Sequence, residues 1–372
     1  MAVDANSAVV RWEGCRQDGV PEVRLIDDAG GAPTVFTSKA TAVERKETYT
    51  APLRPELAAD LAGTYWIYEA RLTSLAAATC YRYELVADPG RQGKVCTARP
   101  SGAPFRFVAI GDTNPGLGET SARLVAQLPR VGADFVVHGG DIQYFASGLD
   151  TWASWFDTMQ PMLSLGAFYP AIGNHESEVP DEREKYVQPF FGGAGFPSNS
   201  TYYSFDTAGV WFFALDSEEP LALGSAQYVW FAKSLAAAAA SPGYRFSVVY
   251  FHKPWVTCGD TSENSDARGQ FEPLFTKHGV LLVIQAHMHG YERFELGALT
   301  YVTSGGGGGL LGNVDENVGR PTCAMRAASG PHHHLVVFDV GRRALSAQVL
   351  GVDKRLLDSF SKAVPGPPGD GP

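Results

Sequence analysis

From Phe105 onward the chain alternates short, unbroken apolar runs with longer helix-like stretches, and this restricts the fold more than any other feature. FRFVAIG (105–111), FVVHGG (135–140), FYPAIG, GVWFFALD, RFSVVYF and VLLVIQA read as buried strands. Between them, ETSARLVAQL, LDTWASWFDTMQPML and SAQYVWFAKSLAAAAA carry helical periodicity, the last stopped by Pro242 and Gly243. Strands alternating with helices predict an α/β unit with largely parallel sheets covered on their faces. LTYVTS, HHHLVVFDV and ALSAQVL add strands toward the C-terminus.

The first hundred residues obey a different rule. AVVRW, TVFTS, TYWIYEARL and CYRYELV are strand-like, and DDAGGAP and DPGRQG between them read as turns. Residues 1–100 are therefore expected to form a small all-β sandwich of the immunoglobulin or fibronectin type. ARPSGAP (98–104) reads as a linker into an α/β domain over 105–358. Residues 359–372, ending PGPPGDGP, read as a disordered tail.

Composition removes several function classes. A net charge of −10 argues against nucleic acid as the main partner, because phosphate-backbone binding needs a basic surface. Apolar runs such as SLAAAAA (234–240) and VLLVIQA (280–286) fall well short of the roughly 18–20 residues that span a bilayer. MAVDANSAVVRW carries no signal-peptide pattern. The five cysteines, Cys15, Cys80, Cys96, Cys258 and Cys323, lack the close spacing of a structural zinc site.

The chemistry lies in the residues just beyond each strand. FVAIG runs into Asp112, and FVVHGG into Asp141 with Tyr144 three residues on. YPAIG is followed by Asn174 and His175, SVVYF by His252, and LLVIQA by His287 and His289. The carboxyl ends of strands line the functional crevice of open α/β sheets, so five strands deliver oxygen or imidazole donors to one edge. Carboxylate, phenolate, amide oxygen and imidazole without thiolate suit iron, manganese or zinc. Asp141 is the natural bridge of a metal pair about 3.5–4 Å apart. His287 and His289 can reach the same place only if the chain turns after Ala286.

These residues resemble a known family. GDTN, GGDIQY, GNHE, the His252 strand end and AHMHGYER match, in order, the five metal-binding blocks of the purple acid phosphatases of the metallophosphoesterase superfamily. YYSFDTAGVWFFALDSE and QYVWFAKSL are similar too, and the β-rich N-terminal part looks like the fibronectin-like domain of plant and bacterial members. The resemblance implies a four-layer αββα sandwich behind that domain. It implies iron(III) held by Asp112, Asp141, Tyr144 and His289, and a divalent zinc, manganese or iron ion held by Asp141, Asn174, His252 and His287. His175 would contact the phosphate or protonate the leaving group. The implied activity is an acid phosphatase, hydrolysing small phosphate monoesters by a metal-bridged hydroxide. The same metals would serve a phosphodiesterase or nucleotide pyrophosphatase, and a non-catalytic metal-binding adhesion protein is a third reading. Export to the periplasm or medium is expected on the same resemblance.

Two positions depart from the family pattern. Asn114 stands where glycine is usual, and KPWVTCGDTS after His252 lacks the substrate-contacting histidine pair of plant enzymes. Among other conspicuous residues, His138 is expected to be a core or supporting residue, and His332–His334 one packed and two exposed. SGGGGG (304–309) has no Gly-Lys-Ser/Thr, so it reads as close backbone approach to the metals or plain flexibility. Trp152, Trp155 and Phe156 read as core, Glu292 and Arg293 as an ion pair or substrate contacts, and Asp216 as a turn residue. We expect Cys258 to pair with Cys323 and Cys80 to face Cys96, leaving Cys15 free; an oxidising compartment permits both bonds.

Overall fold

The computed structural model describes residues 5–14, 19–27, 30–45, 63–144, 149–177, 183, 187–192 and 201–367. Cys15 lies outside the described residues.

The N-terminal strands are β1 (Ala8–Gly14), β2 (Glu22–Asp27), β3 (Thr34–Arg45), β4 (Gly63–Leu72), β5 (Cys80–Leu85) and β6 (Asp88–Cys96). They pair in the order β1-β4-β3-β2-β5-β6. The long β3 is shared: Thr34–Thr37 pair with β2, and Ser38–Arg45 with β4. The two halves face each other, packing Ala8, Val10, Ala70 and Leu72 with Val23, Leu25, Tyr81, Leu85 and Val95. DPGRQG, expected as a turn, instead starts β6; the chain turns earlier, at Val86–Ala87. β6 is an edge strand, where proline and glycine are tolerated, and Cys96 is held opposite Cys80.

The remaining strands are β7 (Phe105–Ile110), β8 (Phe135–His138), β9 (Ala167–Pro170), β10 (Tyr203–Thr207), β11 (Val210–Ala214), β12 (Phe246–Tyr250) and β13 (Val280–Gln285). β14 (Tyr291–Leu296), β15 (Leu299–Ser304), β16 (Arg326–Gly330), β17 (His334–Val340), β18 (Ala344–Gly351) and β19 (Leu356–Ala363) complete them. One sheet is ordered β10-β11-β12-β13-β15-β14-β16, the other β19-β18-β17-β7-β8-β9. Both are parallel at their site-bearing strands, β11–β13 with β15 and β7–β9, and antiparallel elsewhere.

Four layers follow from where the apolar side chains go. Phe107, Ala109 and Phe338 of one sheet pack on Phe212, Val248, Tyr250 and Ile284 of the other. The opposite face of the first sheet, with Val108, Ile110 and Val136, buries Leu124, Trp155 and Met159 of α1 (Thr120–Val125) and α3 (Leu149–Leu163), with α2 (Leu128–Val131) between. The far face of the second, with Phe213, Val249 and Val283, buries Phe231, Leu235 and Phe271 of two later helices (226–239 and 265–278). Ser225 caps the first of these by accepting from Tyr228 N. Among the described residues no helix is long and apolar enough to cross a membrane.

The expected tail from 359 is overturned in part. β19 continues to Ala363 in register with β18, Phe360 packs on the inter-sheet core under Arg293, and Arg245 Nε donates to Pro365 O. The alternation in LLDSFSKA is a period-2 strand signal that the following proline and glycine run obscures.

Candidate metal centre

Every candidate donor lies just beyond the carboxyl end of a parallel strand: Asp112 after β7, Asp141 and Tyr144 after β8, Asn174 and His175 after β9, His252 after β12, and His287 and His289 after β13. Their side chains converge in two groups sharing Asp141. In the first, Tyr144 Oη donates to Asp112 Oδ1 at 2.9 Å and lies 2.8 Å from His289 Nε2, which is itself 3.2 Å from Asp112 Oδ1. In the second, His252 Nε2 lies 3.1 Å from Asn174 Oδ1, 3.0 Å from His287 Nδ1 and 3.2 Å from Asp141 Oδ2. Donor atoms of Asp112, Asp141 and His289 fall within 4.8 Å of one another, as do those of Asp141, His252 and His287.

Whether these residues fit metal ions can be decided from their own hydrogen bonds. His252 Nδ1 lies 3.0 Å from Gly139 O, and His289 Nδ1 lies 2.7 Å from Leu310 O. A carbonyl only accepts, so each Nδ1 carries a proton and each ring turns Nε2 into the centre, where that nitrogen can hold either a second proton or a metal ion. His252 Nε2 meets an amide oxygen, a carboxylate oxygen and a second imidazole nitrogen. One proton cannot serve all of these, whereas a cation between them satisfies every one. The donor set fits.

The acid–base properties of the bare site point the same way. Burial opposes charge on His252, but Asp141 beside it, helped by Asp112 and Glu176, pushes the ring up to about 10. Burial likewise opposes charge on His289, and its bond to Asp112 pushes it up to about 9. Burial alone would raise Asp141; His252 and His175 override it and hold the carboxyl well below the usual range. Burial, and then His252, lowers His287 to about 4. Burial, with Asp112 and Asp141, raises Tyr144 far above an ordinary phenol, so phenolate there requires an adjacent cation.

Residues 105–291, just over half of the 372, match the family model of the calcineurin-like phosphoesterases. The chain belongs to the calcineurin-like phosphoesterase family. It is 28% identical over 325 residues to an uncharacterised protein of Mycobacterium tuberculosis, covering 77% of this chain and 59% of that protein. It is 27% identical over 302 residues to purple acid phosphatase 22 of Arabidopsis thaliana, covering 75% of this chain and 67% of that one. The chain thus spans about six-tenths to two-thirds of the length of these relatives. In fold it matches a purple acid phosphatase from yellow lupin seeds with a TM-score of 0.77 at 17% identity, over 98% of this chain and 73% of that one. Membership of the family implies a dinuclear metal centre.

Three of the candidate donors sit on strained backbone. Asp112, Asp141 and His287 adopt φ of 59°, 50° and 65°, a region that residues other than glycine seldom enter. At His287 the strain makes the turn that the sequence demanded: Met288 N donates to Ala286 O across it, and both histidines face inward. The run 304–309 is close approach. Gly307 N and Gly309 N donate to Gly111 O and Asp112 O, and a Cβ on Gly309 would stand 2.7 Å from the His289 ring.

The remaining conspicuous residues take structural places around the centre. The Asn114 Oδ1 accepts from Gly116 N and caps a short 3-10 turn. His138 is buried, and that burial lowers it to about 3. His334 is buried, but His332 and His333 are only half-exposed. Glu292 and Arg293 do not pair with each other: Glu292 holds Thr257, Cys258 N and Arg326, and Arg293 holds Asp358 and Glu295. Asp216 is buried and bonded to Thr201, with its main chain tied to Gln227. Disulfides join Cys80 to Cys96 and Cys258 to Cys323, as expected.

The residue that sequence reasoning missed is Glu176. It is buried, and its carboxylate accepts from Asp141 N (3.0 Å), Ile142 N (2.7 Å), Gln143 N (3.5 Å) and Gly173 N (2.8 Å). It is the acid of GNHE, but only the folded chain shows that its partners are backbone amides of the Asp141 turn.

Proposed function

We propose that this phosphoesterase is an acid phosphatase that hydrolyses phosphate monoesters at a dinuclear centre. Asp112, Asp141, Tyr144 and His289 would hold the first metal, iron(III), and Asp141, Asn174, His252 and His287 the second, a divalent zinc, manganese or iron ion. The single observation that carries the reading is the inward Nε2 of His252, enclosed by Asn174, His287 and Asp141.

When bound, the metal pair supplies Lewis acidity, which neutralises charge on the phosphoryl oxygens and acidifies water. The chain supplies orientation and a proton. Gly139 O and Leu310 O fix the His252 and His289 rings in the tautomer that presents Nε2. His175 stands over the centre: its ring is 4.2 Å from that of Tyr144, and Nε2 is 3.8 Å from Asp141 Oδ2. With its side chain 23% exposed, His175 can reach a bound ester and protonate the departing alkoxide. Two disulfides support an oxidising, extracytoplasmic location.

The test is metal analysis of the purified protein together with turnover of a nitrophenyl phosphate and its bis-ester. Two equivalents of metal and faster turnover of the monoester are expected, with activity and the second equivalent both lost in Asn174→Ala and His252→Ala. Preference for the bis-ester would make the protein a phosphodiesterase on the same site. Undetectable hydrolysis of both with metals bound would favour the non-catalytic reading.

A further inference from the structure

We propose that Thr113 is a positioning residue for the metal centre: through a buried hydrogen-bonded knot with His138 and Trp155, it sets the spacing of the Asp112 and Asp141 carboxylates. The proposal rests on the dinuclear reading above.

Thr113, His138 and Trp155 are all buried, and none is among the candidate ligands. Thr113 Oγ1 donates to Ile142 O at 2.6 Å, accepts from Trp155 Nε1 at 3.0 Å, and lies 3.1 Å from His138 Nε2. The protons can be assigned from the partners. Gly140 N–H points at His138 Nδ1 at 3.2 Å, so Nδ1 accepts and Nε2 carries the hydrogen. The hydroxyl then has one donor bond and two acceptor bonds, and its capacity is filled.

Its partners flank both carboxylates. Thr113 follows Asp112, while Gly140 and Ile142 bracket Asp141. The same two turns are joined through the main chain by Asp112 N to Gly140 O (3.0 Å) and Thr113 N to Asp141 O (3.1 Å). Asp112 and Asp141 both sit at positive φ, a conformation that persists only where surrounding contacts enforce it. The Thr113 hydroxyl and the His138 ring supply such contacts, to Ile142 O and Gly140 N on either side of Asp141. Groups that orient ligands in this way typically alter metal affinity about 10–100-fold when removed.

The experiment titrates the metal-free protein with zinc alone, following both equivalents by equilibrium dialysis, with a thermal melt of the metal-free protein alongside. Thr113→Val should weaken at least one equivalent about 10–100-fold, and Thr113→Ser, which restores the hydroxyl, should bind within a few-fold of the wild type. Trp155→Phe keeps the bond to Ile142 and removes one donor; a several-fold loss of zinc affinity is expected, and this variant decides the matter if Thr113→Val does not fold. Wild-type affinity in the folded Thr113→Val protein, or in Trp155→Phe where that one does not fold, overturns the proposal, as does a Thr113→Ser protein as weak as the valine variant. A wild-type chain taking up fewer than two equivalents of metal when iron and zinc are both supplied would instead refute the dinuclear reading itself, so the two failures are distinguishable.

Discussion

Replacing Glu176 by glutamine keeps the side chain's size and shape and removes only the acceptor capacity of one oxygen. In the native site one oxygen accepts from Asp141 N and Gly173 N, and the other from Ile142 N and Gln143 N. Whichever way the amide is turned, its NH2 faces two main-chain N–H groups that then lack a partner. A buried donor left unsatisfied costs about 1–3 kcal/mol, so Glu176→Gln should destabilise by about 2–6 kcal/mol. At roughly 2–4 °C per kcal/mol for a domain of about 150–250 residues, the melting temperature should fall by at least about 4 °C. The assay is a melt of metal-free protein, so that loss of bound metal does not contribute. Glu119→Gln is the control, because Glu119 is exposed and makes no side-chain cap; it should change stability by no more than about 0.5 kcal/mol. A Glu176→Gln protein that melts with this control would refute the account of how Asp141 is held.

His175→Ala should retain both metals while slowing esters of poor leaving groups by about 10²–10⁴-fold and those of good leaving groups much less; equal losses on both would remove its role as proton donor. Tyr144→Phe should abolish a visible tyrosinate-to-iron absorption and weaken the first site while leaving the second equivalent bound; a colourless, fully active wild-type protein with two divalent ions would contradict the phenolate. Cys323→Ser opens a bond that spans 65 residues, and should lower unfolding free energy by about 4 kcal/mol in urea titrations; an unchanged midpoint would show that the bond does not constrain the unfolded chain.

Sequence alone determined the parts of this protein that depend on local periodicity. Buried strands such as FRFVAIG and VLLVIQA announce themselves because a strand covered on both faces must be apolar throughout. A polar residue at the end of such a run is conspicuous for the same reason, which is how Asp112, Asp141, Asn174, His252 and His287 became legible as candidate donors at one edge. Even the turn after Ala286 was implied, since two histidines two apart cannot otherwise face one point. The tertiary structure decided what depends on residues far apart in the chain. Three of the four amides that Glu176 holds are more than thirty positions away, and Thr113 meets His138 and Trp155 only after α3 packs beneath β7 and β8. The same holds for β6, whose proline and glycines look like a turn until Cys80 and the edge position fix them in a ladder. It holds for Ser359–Ala363 too, which is a strand because β18 offers it a register. Periodicity reports which face of an element is dry; which groups meet, and at what φ, depends on where other elements come to rest.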